Sequence, residues 1–171
     1  YTYPMAGPNK NGLQAQVVIG LQENSQGRLW IATYGGGVEM LNVQTGHFEH
    51  FTPKPYHDGD YIGVSKICPD RKTPDAFWIN IYQDGAWGFY RFDTNSKTFS
   101  PFPAANPLRK FYMWAAMEDQ HGRLWLTTRQ GPKLLDRETG AVSDALGGRL
   151  SGSNIMEICE DQAGRIWLGT S

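Results

Sequence analysis

The sequence predicts an all-β chain of short strands, and three observations carry that expectation. Glycine supplies 20 of the 171 residues, where ordinary usage of ~7 per cent would give about twelve, so tight turns recur along the chain. The apolar segments are short, end at Gly, Asp, Asn or Pro, and show no helical apolar stripe. Third, three segments superimpose almost letter for letter: Glu23 to Trp30 (ENSQGRLW), Glu118 to Trp125 (EDQHGRLW) and Glu160 to Trp167 (EDQAGRIW). A degraded fourth copy runs from Pro69-Asp70 to Phe77-Trp78.

Composition narrows the function classes. Hydrophobic residues at 40% and aromatics at 13% suffice for a packed core. Lys+Arg 16 against Asp+Glu 17 gives a net charge of −1, which argues against a nucleic-acid-binding domain, since phosphate recognition needs a concentrated positive field. The longest uninterrupted hydrophobic run, residues 111–117, is too short for a membrane-spanning helix. Two cysteines do not make a disulfide scaffold.

The repeat tryptophans fall at positions 30, 78, 125 and 167. Spacings of this size suit a four-stranded antiparallel propeller blade of about 40–50 residues. Each copy divides into strand-like pieces. The first is an apolar run up to the acidic position (17–23, 62–68, 111–118, 155–160), and the second is centred on the Trp (28–33, 77–82, 123–128, 165–170). The third covers 38–43, 88–93 and 132–136; the fourth covers 47–51, 98–102 and, more weakly, 141–145. The first turn has a mechanism: Asn24, Asp119 or Asp161 accepts backbone N–H groups two residues on, and Gly27, Gly122 or Gly164 takes the positive φ. A second turn repeats from Asn42, Asp93 and Asp136. The expected organisation of 1–171 is therefore one propeller arc. Residues 1–4 are the last strand of a preceding blade; 16–52, 61–103 and 111–146 are blades; 153–171 is the first half of a further blade. The arc reads as part of a larger ring, with remaining blades of the same propeller as its partners.

The pattern Glu-Asp-x-x-Gly-Arg-Leu-Trp-Leu-x-Thr, with its Gly-rich turn, later Asp and Thr-Gly, resembles the two-component regulator propeller repeat. The match is best at residues 117–128, 158–170 and 21–37. Copy two departs from it: it lacks the turn Gly, lengthens Asp70-to-Trp78, and has Ile81 where the others have Thr33, Thr128 and Thr170. The resemblance implies the periplasmic sensor region of a hybrid two-component histidine kinase from Bacteroidetes. Such a protein detects an oligosaccharide, is expected as a receptor homodimer, and signals by phosphorelay to transcription control. It implies no enzyme activity for this fragment, although the parent chain would resemble a sensor histidine kinase.

Several features carry a plain structural meaning. Tryptophans in identical register serve packing between blades, and the acidic pairs form turns rather than catalytic dyads. Cys68 and Cys159 occupy equivalent strand positions two blades apart and are expected free and buried. The histidines at 47, 50, 57 and 121 lack metal spacing, and Gly35-Gly36-Gly37 is followed by neither a helix nor Lys-Ser/Thr, so no metal, cofactor or catalytic residue is expected. Residues that break the repeat remain. Copy two carries an insertion around Tyr82 to Trp87, on the rim it would share with the connections between blades. That rim collects Tyr34, Tyr56, His57, Asp58, Tyr82, Asp84, Trp87, Arg109 and Arg129. Aromatic faces with polar groups between them suit a saccharide; the same loops could equally cover blade edges or contact a partner protein. A protein–protein interaction or dimerisation module is the first rival, and a propeller lyase or glycosidase, with carboxylates drawn from several blades, is the second.

Overall fold

A computed structural model describes residues 11–53, 62–83, 85–102 and 112–171. Fourteen strands are seen among them, arranged as successive antiparallel meanders. The first blade comprises β1 (Val17–Glu23), β2 (Leu29–Tyr34), β3 (Gly37–Asn42) and β4 (His47–Phe51). The second comprises β5 (Gly63–Pro69), β6 (Ala76–Gln83), β7 (Ala86–Asp93) and β8 (Thr98–Pro101). β9 (Met113–Glu118), β10 (Leu124–Thr128), β11 (Lys133–Leu135) and β12 (Val142–Asp144) form the third, and β13 (Ile155–Glu160) pairs with β14 (Ile166–Thr170). The fold is a β-propeller arc. A short 3-10 turn at Ala145–Gly148, which the repeat pattern does not announce, follows β12.

The turns explain the sequence repeat atom by atom. Asp119 Oδ1 accepts the backbone N–H of His121 and Arg123 (3.0 and 2.8 Å), and its Oδ2 accepts Arg123 Nε and Trp125 Nε1 (2.6 and 2.8 Å). Asp161 makes the same four bonds to Ala163, Arg165 and Trp167. Each carboxylate thus ties the hairpin backbone to the two side chains that recur with it. Gly122 and Gly164 close these hairpins at φ +76°. The irregular second copy keeps the geometry by another route: Asp70 Oδ1 accepts the N–H of Lys72 and Thr73, and Asp75, two residues late, takes the left-handed conformation at φ 63°. In the second turn type, Asn42, Asp93 and Asp136 each bind two following N–H groups. Gly46, Lys97 and Gly140 supply the positive φ four residues on.

The core lies between blades. Trp30, Ala32 and Val38 of the first blade meet Ile67, Phe77 and Ile79 of the second. Trp78 and Phe89 meet Ala116, Leu124 and Leu126 of the third, and Trp125 meets Ile158, Ile166 and Leu168. Trp30, Trp78 and Trp125 are at most 2% exposed, as their register requires. Trp167 departs from the expectation at 56% exposed, and Cys159, paired with it across the strands, is also exposed. Among the described residues no blade covers that face. Both cysteines are free, but only Cys68 is buried.

Candidate functional site

The innermost strand of each blade carries one irregularity at one place. Pairing shifts register between Val18 and Gly20, between Val64 and Lys66, at β9 opposite Thr127 and Thr128, and between Ile155 and Glu157. The extra residues are Ile19, Ser65, Trp114 and Met156, each four positions before the strand-ending Glu23, Pro69, Glu118 or Glu160. A bulge re-aims the side chain of its unpaired residue. Here all four line one cavity of about 260 Å³, together with Tyr34, Val64, Lys66, Trp87, Tyr112 and Glu157.

Aromatic rings form the wall of this cavity. Tyr82 and Trp87 have ring centroids 5.3 Å apart, Trp87 and Tyr112 5.3 Å, and Tyr112 and Trp114 4.7 Å, all tilted or edge-on. The Arg129 guanidinium lies 4.4 Å from the Tyr112 ring centroid and 5.8 Å from that of Trp114, fixing the ledge by cation–π attraction. Trp114 Nε1 donates to Asn154 Oδ1 at 2.9 Å, which holds the ring to the segment leading into β13. Across the cavity Lys66 Nζ pairs with Glu157 Oε1 at 2.7 Å. Behind it, Asn80 Nδ2 donates to Ser65 Oγ (2.6 Å) and to the Met113 carbonyl (2.9 Å), joining blades two and three. The site therefore offers stacking surface, a hydroxyl, an ammonium and a carboxylate.

Of the expected rim residues, Tyr34 and Trp87 line the cavity, Tyr82 packs behind Trp87, and Arg129 caps the ledge. Tyr56, His57, Asp58, Asp84 and Arg109 lie outside the described residues. Trp87 departs from the freely exposed rim side chain that the insertion suggests: it is half-buried between Tyr82 and Tyr112, with its indole N–H buried and unpartnered. Tyr112, Trp114, Lys66, Glu157 and Asn154 were not anticipated. For Trp114 the available signal was a fixed repeat position, four before the strand-ending residue, whose occupant changes from copy to copy.

A larger groove of about 350 Å³ opens at the opposite rim, lined by Lys72, Arg123, Arg137 and neighbouring turn residues. Its Arg137 is committed to Asp70 (2.8 Å) and Glu118 (2.5 Å) and lies against Trp78, so this groove marks a blade joint. No described His, Cys, Asp or Glu side chains cluster as metal ligands, and no described helix is long and apolar enough to cross a membrane.

The comparisons agree with this architecture. The family described as two component regulator propeller matches residues 12–35 and 149–171, which hold β1–β2 and β13–β14. Those two segments of the chain match the repeat of that family. No curated protein matches it. Among solved structures, the extracellular domain of a proposed hybrid two-component system of B. thetaiotaomicron superimposes with a TM-score of 0.73 at 21% identity, over 99% of this chain and 21% of that one. A second such domain from the same organism gives 0.75 at 17% identity, over 95% of this chain and 21% of that one. Virginiamycin B lyase from Staphylococcus aureus gives 0.64 at 18%, over 94% of this chain and 52% of the enzyme. At these identities the likeness shows the propeller fold. The chain spans about a fifth of the length of the two extracellular domains.

Proposed function

We propose that this arc is the ligand-recognising part of an extracytoplasmic sensor of the hybrid two-component kind, and that its ligand is an oligosaccharide. The observation that carries this reading is the Trp87–Tyr112–Trp114 ledge on a cavity whose polar groups are Ser65, Lys66 and Glu157. A sugar ring presents a C–H patch to an aromatic face and hydroxyls to donors and acceptors around it. A cavity of about 260 Å³ lies just under the ~300–1,000 Å³ usual for small-molecule sites and suits one ring of a longer chain. The repeat family and the extracellular structural relatives support a periplasmic setting. In this reading the parent chain is a dimeric, membrane-anchored sensor histidine kinase, further blades complete the ring, and occupancy passes by phosphorelay to transcription control. This fragment performs recognition and no catalysis.

The test is a glycan array probed with the labelled chain, followed by calorimetric titration of the oligosaccharides retained. Saturable binding that weakens in Trp114→Ala, with the fold intact by circular dichroism, is the expected result. An array without a single saturable glycan would overturn the reading.

A further inference from the structure

The residue two places after each repeat Trp lies opposite the bulge of its own blade. Ala32 pairs with Gly20, Asn80 with Lys66, Thr127 with Ala115 and Gly169 with Glu157, in every case the residue directly after the bulged one. A bulge interrupts the ladder at this point, and a polar side chain opposite it can bond the backbone and side-chain groups left there. Thr127 does so within its own blade: its Oγ1 accepts the Ala115 N–H at 2.8 Å and donates to the Ala115 carbonyl at 3.3 Å. Asn80 does so across two blades. Its amide Nδ2 donates to Oγ of Ser65, the bulged residue of blade two, at 2.6 Å. It also donates, at 2.9 Å, to the Met113 carbonyl, which belongs to the peptide leading into Trp114, the bulged residue of blade three.

The second bond fixes the orientation of the amide, since a carbonyl can only accept. Oδ1 is thereby left buried without a partner, on a side chain that is 1% exposed. Cohesion between these blades does not call for an amide. Trp78 and Phe89 already pack on Met113, Ala116, Leu124 and Leu126, and Arg137 bridges Asp70 and Glu118. At the same position of the first blade, Ala32 is fully buried and serves packing alone. A buried amide with an unsatisfied acceptor costs stability, so what distinguishes Asn80 is the geometry its two bonds impose. A hydrogen bond on the Met113–Trp114 peptide restricts rotation of that plane, and with it the direction in which the Trp114 side chain leaves the backbone. The far edge of the ring is held by Asn154. Ser65 Oγ, accepting from the amide, keeps its own proton to donate into the cavity it lines.

We infer that Asn80 is the positioning residue of this site: it ties the bulge of blade two to that of blade three, sets the angle of Trp114 on the ledge and presents the Ser65 hydroxyl as a donor. Asn80 lies behind the cavity wall and acts only through Trp114 and Ser65. Its part in recognition rests on the saccharide reading; its hold on Trp114 does not.

The test uses the chain labelled with fluorotryptophan, in which each of the six tryptophans is followed by fluorine NMR and assigned by Trp→Phe replacement. Asn80→Leu keeps the side-chain volume and removes both bonds. Asn80→Ala, which installs the residue found in the first blade, serves if the larger apolar group prevents folding. The Trp114 resonance should shift and broaden while those of Trp30 and Trp125 stay in place. Calorimetric titration with an oligosaccharide retained on the array should show affinity about tenfold weaker, the loss of a preorganised surface, with melting still cooperative. A Trp114 resonance at its parent position in a folded Asn80 variant overturns the inference. So does unchanged affinity for a ligand that Trp114→Ala weakens, and so does failure of both variants to fold, which would make Asn80 a tie of the blade joint. Absence of any glycan ligand overturns the saccharide reading alone, and the Trp114 resonance still decides whether Asn80 orients the ledge.

Discussion

Replacing Asn24 by Asp should stabilise the protein, and the other turns set the size of the effect. At Asp119 one carboxylate oxygen takes two backbone N–H groups and the second takes Arg Nε and Trp Nε1. At Asn24 the first half is intact, with Oδ1 accepting the Gln26 and Arg28 N–H at 3.1 Å each. The second half is inverted, because the amide Nδ2 occupies the place of the second oxygen. That Nδ2 and Trp30 Nε1 are both buried without a partner. A buried unsatisfied donor costs ~1–3 kcal/mol, and a hydrogen bond to a charged group contributes ~1.5–3 kcal/mol. Desolvation of the new carboxylate in a half-buried turn opposes this, so a net gain of about 1–2 kcal/mol is expected. Differential scanning calorimetry should then show a rise of about 2–4 °C per kcal/mol gained, for a domain of this size. The new carboxyl should titrate below its ordinary value, as Asp119 does, where burial raises the pKa but the bonds from Trp125 and Arg123 outweigh it. A depressed folded pKa means the gain is complete above the unfolded value of ~3.9 and lost as pH falls through the folded one. Trp30→Phe in the same background should remove part of the gain, as a double-mutant cycle detects. An Asn24→Asp protein that melts at or below the parent temperature would refute this account of the repeat.

Three further outcomes follow from the same structure. Gly122→Val places a β-branched residue at φ +76° and should cost roughly 1–2 kcal/mol or more, whereas Gln120→Val in the same turn should cost far less; equal urea midpoints would contradict the hairpin. Burial pushes the Glu39 carboxyl up to about 7, against a weaker opposing bond from the Gln14 N–H. The folded state therefore holds a proton that the unfolded state releases, and stability declines as pH rises from about 4.5 through 7. Glu39→Gln should flatten that slope in denaturant titrations and exceed the parent at pH ~8, while a parent profile without the slope would show Glu39 ionised throughout. On the acid side, Asp161 is lowered to about 2, first by the Trp167 indole and then by the Arg165 backbone N–H, and Asp93 is lowered first by the Ser96 N–H. Stability should accordingly fall as pH drops below about 4, and the pH dependence should weaken when Asp161 is replaced by Asn.

The blades were legible in the sequence because their turns are chemically constrained. Asn or Asp at one fixed offset and Gly at another leave few backbone solutions, and β1, β4 and β13 fall where the pattern sets them. The exceptions are positions where tertiary packing overrides preference. Asp75 and Lys97 adopt positive φ in place of glycine, and the 3-10 turn after β12 has no repeat counterpart. The site was half legible. Tyr34 and Trp87 stand out because they break the repeat at turns. Trp114 lies inside an apolar run that reads as an ordinary buried strand, and a one-residue bulge, invisible to composition or periodicity, turns it into the cavity. Lys66 and Glu157 are 91 residues apart, and only the curvature of the arc makes them neighbours.

The central claim is that bulged residues of the innermost strands, with Trp87, form a saccharide site. Calorimetric titration of the chain, Trp114→Ala and Trp87→Ala with an oligosaccharide retained on the array tests it directly. Each substitution should weaken binding by about 1–3 kcal/mol, the range for an aromatic anchor. Trp114→Ala should do so with the melting cooperativity of the parent. Affinity unchanged in both variants, for a ligand the parent does bind, would contradict the claim and move recognition away from the bulge ledge.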